Sequence, residues 1–179
     1  APGAAAQEGS DSARPATEDK PAETAADAPD LSDLIAEDEP TKIAGGFRFT
    51  EGPLWRDGAL LFCDVPPAVI HAWTPPEHDA DDADDTGSTE RVRTDTAMAA
   101  GLALDTEGRL VMAQFAGTVS RVDKNGAVEV LADEYKGKRL NSPNDVVVRS
   151  DGAIFFTDPD FGVRAPDKEL DFNGVYRID

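Results

Sequence analysis

The chain has 179 residues, with 17 Lys and Arg against 36 Asp and Glu, for a formal net charge of −19. That sign repels nucleic-acid phosphates and anionic membrane surfaces, and no apolar run approaches the ~20 residues of a membrane span. A single cysteine, Cys63, rules out an internal disulfide, and the length allows about one domain.

Residues 1–40 are mostly Ala, Pro, Glu, Asp, Ser and Thr, with no aromatic residue. Such a segment buries too little apolar area to offset ordering entropy and reads as a disordered acidic linker. Leu31–Glu39 reads either as a helical turn or two or as more linker. No signal peptide is visible, but a lead-in of this composition fits a stretch behind a removed export signal, so a periplasmic or secreted location is expected.

From Lys42 onward the grammar is all-β. Lys42–Thr50 reads as a first strand with Phe47 and Phe49 on one face, followed by a turn at Glu51-Gly52-Pro53, where Gly52 permits close backbone approach. Ala59–Asp64 and Val69–Thr74 are further strands. Cys63 reads as a packed thiol, with a reactive one as the alternative. His71 shares a face with Val69 and Trp73 and reads as a packed or surface residue, and His78 as a solvated one. Pro75–Ser88 is an acidic low-complexity insert without the spacing of a calcium loop, read as solvated. Met98–Asp105 and Arg109–Val122 carry the next strands, Thr118–Asp123 and Ala127–Ala132 flank an Asn125-Gly126 turn, and Val146–Val148 and Ile154–Phe156 flank the Asp151-Gly152 signal of a hairpin. Gly174–Asp179 begins another strand.

One unit recurs. Glu51–Gly58 leads into Ala59–Asp64, Ala100–Gly108 into Arg109–Ala113, and Asn144–Gly152 into Ala153–Asp158. The turn glycines Gly58, Gly108 and Gly152 stand 50 and 44 residues apart. A period of roughly 40–50 residues holding strands and no helical pattern predicts β-propeller blades. Superposition aligns Glu51, Ala100 and Asn144, and equivalent positions of successive blades converge on a central channel. A carboxylate and an amide oxygen on one axis suit a hard cation such as Ca²⁺.

EGPLW at 51–55, LLFCDVP at 60–66, GRL at 108–110 and KRLNSPNDVVVRSDGAIFFTDPDFG at 138–162 resemble the gluconolactonase branch of the SMP-30/gluconolactonase-like family. The resemblance implies a six-bladed β-propeller with one divalent metal, usually calcium, in the channel, and hydrolysis of a sugar lactone; relatives include phosphotriester hydrolases. Of the family's four protein ligands, a Glu and an Asn match Glu51 and Asn144. On sequence chemistry alone Glu51 reads as a surface acid and Asn144 as a turn former; repeat and motif together make them metal ligands. The later Asn and Asp ligands have no counterpart up to Asp179. The expectation is therefore a partial propeller of about three blades over 41–179, a fragment inactive by itself, with its general base beyond Asp179.

Arg139, Asn141 and Asp145 are candidates for substrate binding, with an exposed loop arginine as the other reading of Arg139 and loop support as that of Asp145. Asp158 and Asp160 read as caps of backbone groups rather than a second metal site. Many relatives carry NGL where this chain has Ala100-Gly101-Leu102, and a histidine where it has Gln114-Phe115, which puts the pocket wall in question. The rival function is a propeller binding module that keeps calcium for stability alone.

Overall fold

The computed structural model describes residues 40–77 and 86–179. The acidic linker, the segment Leu31–Glu39, His78 and most of the acidic insert lie outside these residues. The chain divides into units 1–41 and 42–179, and the second carries the fold.

That unit is built from antiparallel sheets. The first contains β1 (Thr50–Arg56), β2 (Ala59–Asp64), β3 (Val69–Thr74) and β4 (Ser88–Arg93), in that order; the second contains β5 (Ala99–Leu104), β6 (Leu110–Gln114), β7 (Thr118–Val122) and β8 (Val128–Ala132). A two-stranded ribbon of β9 (Glu134–Tyr135) and β10 (Lys138–Arg139) follows. The third large sheet is β11 (Val146–Val148), β12 (Ile154–Asp158) and β13 (Gly174–Ile178). Among the described residues the only helix is one 3-10 turn, Ala165–Asp167.

Local chemistry sets the hairpins. Asp57 and Gly58 both have positive φ, 51° and 81°, the backbone of a two-residue turn whose twist matches its strands. At the other turns a carboxylate locks the backbone: Asp105 accepts the N–H groups of Glu107 and Arg109, and Asp123 those of Asn125 and Ala127.

Two expectations are corrected. Lys42–Phe49 is not a strand; β1 starts at Thr50, and Glu51-Gly52-Pro53 lies inside it rather than in a turn. The reason is that Arg48 and Phe49 give their N–H groups to the Asp64 carboxylate, not to a neighbouring strand. Phe47 packs against Phe62 and His71, while Phe49 is exposed. In addition, Ser88–Arg93 at the end of the acidic insert forms an edge strand.

The core lies between consecutive sheets. Cys63, Val65, Ile70, Ala99, Ala100, Leu102, Leu110 and Met112 form one cluster. Ala103, Val111, Ala113, Val119, Leu140, Val146, Ile154, Phe156 and Leu170 form the other. Successive side chains of β6 alternate between the two clusters, as the two-residue period of a strand requires. The middle sheet is therefore buried on both faces, which is why AAGLAL and LVMAQ read as continuous apolar runs.

Candidate functional site

The site grows from the first strand of each large sheet. β5 packs against both β1 and β11, and two glycines make the approach possible. A Cβ on Gly52 would overlap the Ala100 carbonyl oxygen and stand 3.0 Å from Leu102 N; one on Gly101 would stand 2.7 Å from both Asn144 O and Asp145 Cα. Gly52 and Gly101 occupy the same place in the repeat, one residue after Glu51 and Ala100. The aligned positions Glu51 and Ala100 thus sit on β1 and β5, and Asn144 just before β11, with β5 in backbone contact with the chain on either side.

Each inner strand opens with an irregularity. In β1, Glu51 pairs with Cys63 and Leu54 with Leu61, so one residue is extra. In β5, Ala99 pairs with Gln114 and Leu102 with Met112, again one extra. Before β11, Asn144 donates its N–H to Thr157 O at 3.0 Å while Thr157 donates to Asp145 O at 3.1 Å, so Thr157 faces two residues. Bulges bend a strand and re-aim its side chains, and here they recur where the candidate ligands stand.

A second device was half legible in the sequence, which offered Asp158 as a backbone cap but not Asp64. Asp64, at the end of β2, is 5% exposed and accepts the N–H groups of Arg48 and Phe49 at 3.1 and 3.0 Å. Asp158, at the end of β12, is fully buried and accepts those of Asn141 and Ser142 at 2.9 and 2.7 Å. Burial pushes the Asp158 carboxyl up, and the two N–H bonds only partly oppose it. The cap role read for Asp158 is what the geometry shows. In the middle sheet the equivalent residue is Gln114, buried, whose Nε2 donates to Thr96 O at 2.8 Å.

Glu51 and Asn144 are half-buried, and neither side chain makes a hydrogen bond or ion pair among the described residues. The Glu51 carboxylate lies near enough to Cys63 to act on its charge: burial first, then Glu51, pushes the thiol up to about 12. The reading of Cys63 as packed holds. Side-chain oxygens of half-buried residues, without partners among the described residues, are donors of the kind a hard cation takes. They fit such an ion as part of a larger shell, since no group of three His, Cys, Asp or Glu able to hold a metal is gathered among the described residues.

The substrate candidates are placed unequally. Asn141 is buried and fastens its own loop, donating from Nδ2 to Phe172 O at 3.0 Å, while its Oδ1 has no partner among the described residues. Asp145 is exposed, and its Oδ1 accepts the Val146 N–H at 2.8 Å. Arg139 is exposed and turned onto the 167–169 segment, with its N–H on Glu169 Oε2 and Nη2 on Asp167 O. Asp160 pairs with Lys168 at 2.6 Å. His71 stacks on Phe62 at 5.4 Å; burial lowers its pKa foremost, with Asp64 opposing and Arg91 adding. Phe115 meets Phe161 edge-on at 5.0 Å, and Phe161 is 62% exposed, so the two rings form an apolar wall beside Ser142 and Gly162.

Residues 49–179 match the SMP-30/gluconolactonase/LRE-like region. The chain belongs to that family. A gluconolactonase of Zymomonas mobilis subsp. mobilis is 33% identical over 148 residues, covering 76% of this chain and 41% of the relative. A solved gluconolactonase of Xanthomonas campestris superposes with a TM-score of 0.64 at 33% identity, covering 76% of this chain and 45% of that one. The chain thus spans less than half the length of these relatives. The family and the stack of antiparallel sheets together give a β-propeller-type fold. The resemblance carried by the 51–66 and 138–162 motifs was correct.

Proposed function

We propose that this protein, in a chain of full family length, hydrolyses the lactone of a sugar acid with a divalent cation, calcium by donor chemistry, in the channel of a six-bladed propeller. The observation that carries the reading is the pair Glu51 and Asn144, two half-buried residues whose side chains have no hydrogen-bond or ion-pair partner among the described residues, at repeat-equivalent places in β1 and just before β11, on either side of β5. Family membership over residues 49–179 supports the same reaction class.

The Glu51 carboxylate and the Asn144 amide oxygen would hold the ion. Once bound there, the cation supplies Lewis-acid polarisation of the lactone carbonyl and stabilisation of the oxyanion. Glu51 contributes the charge and Asn144 a neutral oxygen. Phe115 and Phe161, packed edge-on, would offer the substrate an apolar surface. Calcium takes ~6–8 oxygens; two donors do not fill that shell, so turnover is expected from the longer protein and not from these 179 residues.

One observation favours a binding module instead. The middle inner strand presents Ala100, fully buried and without a donor, at the equivalent position. The deciding experiment is pH-stat titration of gluconolactone with the protein expressed from its full reading frame, treated with chelator and then with calcium. Loss and recovery of activity support the lactonase. Tight calcium binding with no turnover on any lactone tested selects the binding module.

A further inference from the structure

The two carboxylates at the ends of β2 and β12 stand in the same relation to the two candidate ligands. Asp64 receives the N–H groups of Arg48 and Phe49, which precede Glu51 by three and two residues. Asp158 receives those of Asn141 and Ser142, which precede Asn144 by three and two residues. Each carboxylate is buried, each comes from the second strand of the sheet whose first strand carries or directly follows the candidate ligand, and each receives two consecutive N–H groups. Where the inner strand presents Ala100, the carboxylate is absent: Gln114 takes its place, its Nε2 donating to Thr96 O and its Oε1 accepting the Thr118 hydroxyl, so it receives no pair of consecutive backbone N–H groups.

We infer that Asp64 and Asp158 are a matched pair of positioning residues, which hold the backbone just before Glu51 and Asn144 so that the two oxygens face a common ligand. The inference rests on the cation reading given above and deepens it. The physical case is direct. The N–H groups of Arg48, Phe49, Asn141 and Ser142 have no strand partner and need acceptors where the fold covers them. A carboxylate offers two oxygens in one rigid plane, and its hydrogen bonds to N–H are charge-assisted and short. Two such bonds to consecutive residues fix the direction in which the chain enters the bulge, and with it the direction of the next side chain. Further anchors serve the same end. Val65 donates its N–H to Phe49 O at 3.0 Å, and Ser142 Oγ receives the Gly162 N–H at 3.0 Å.

Asp158→Asn is the sharper variant, because an amide keeps the shape of the carboxylate but has an acceptor for only one of the two N–H groups. Asp64→Ala removes the other tether. Two controls separate positioning from stability: Asp151→Asn removes one exposed charge at a distant turn, and Val119→Ala loosens the core between the second and third sheets.

Terbium luminescence titration, with Tb³⁺ as the calcium surrogate, is run beside thermal melts and amide hydrogen exchange on the 179-residue chain. The expected result is that Asp158→Asn and Asp64→Ala weaken Tb³⁺ binding about ten- to a hundredfold, the usual effect of losing a group that orients a ligand, while Val119→Ala lowers the Tm without that loss. Unchanged Tb³⁺ affinity in both tether variants would overturn the inference and leave the cation reading standing. If the parent chain itself binds no Tb³⁺, its two donors do not hold the ion without the rest of the shell, and exchange decides the tethers. Faster exchange confined to residues 48–51 in Asp64→Ala and 141–145 in Asp158→Asn supports positioning; acceleration spread as in Val119→Ala overturns it.

Discussion

Replacing Gly52 with alanine tests whether the inner strands truly meet backbone to backbone. Two costs add at this position. The φ of Gly52 is +57°, a region that costs an L-residue about 1–2 kcal/mol. The new methyl group would overlap Ala100 O, and that neighbour is a strand carbonyl, not the tip of a flexible side chain. Overpacking against fixed structure costs about 1–3 kcal/mol, so the total is about 2–5 kcal/mol. Gly108 supplies the comparison: its φ is +74°, and nothing lies within 4 Å of the added Cβ, so Gly108→Ala should cost only about 1–2 kcal/mol. Gly101→Ala isolates the steric part. Its φ is not in the left-handed region, but the Cβ would stand 2.7 Å from Asn144 O, for about 1–3 kcal/mol. Urea unfolding monitored by tryptophan fluorescence, with Trp55 and Trp73 both in the first sheet, ranks the three variants. The reasoning requires Gly52→Ala to be the worst. If it unfolds at the same urea concentration as Gly108→Ala, β1 and β5 are not in contact through Gly52, and Glu51 is not held where the cation reading needs it.

Cys63 should resist alkylation in the folded chain at pH 8 and react fully in denaturant, because burial and then the Glu51 carboxylate hold its thiol up to about 12; rapid labelling of folded protein would refute its placement opposite Glu51. At Asp105, burial works against ionisation, but the N–H groups of Arg109 and Glu107 and the Arg109 guanidinium outweigh it and depress the pKa. A depressed carboxylate contributes stability above its unfolded pKa and loses it as pH falls through the folded one. Asp105→Asn should therefore cost about 2 kcal/mol at pH 7, with the gap to the parent narrowing below about pH 4; a gap that is constant with pH would show that shape, not charge, matters there. Glu51→Gln in the full-length protein should keep the fold but reduce calcium affinity and chelator-sensitive lactone turnover about tenfold or more; a variant with parental calcium affinity would remove Glu51 from the ligand set.

The hairpins were legible because their information is local. Asp57-Gly58, Asn125-Gly126 and Asp151-Gly152 each announce a turn within two residues, and the strands beside them fall where the apolar pattern ends. The errors came where the deciding partner is distant in sequence or the pattern is silent. Phe47 and Phe49 imitate a strand, but the residue that takes the local N–H groups is Asp64, 15 positions beyond Phe49. Ser88–Arg93 pairs along β3 yet is exposed over most of its length, so an edge strand with no buried face had no alternation to display.

The candidate site divides in the same way. Glu51 and Asn144 stood out because the motif strings and the repeat meet on them, whereas Asn141 and Arg139 looked alike in sequence and differ in structure. Asn141 is buried and fastened to Phe172 O, and Arg139 lies in the open on the 167–169 segment. The tethers were harder still, since the groups Asp64 and Asp158 hold are backbone N–H groups, which every residue carries and no side-chain pattern marks. Their function becomes readable only when the three sheets are laid over one another. The carboxylate then accompanies the inner strands that begin with an oxygen donor, and Gln114 accompanies the one that begins with Ala100. A carboxylate that served only to close its sheet would be equally useful in all three. Its replacement, in the sheet without a donor, by an amide that fastens a carbonyl is what the proposed positioning of Glu51 and Asn144 predicts.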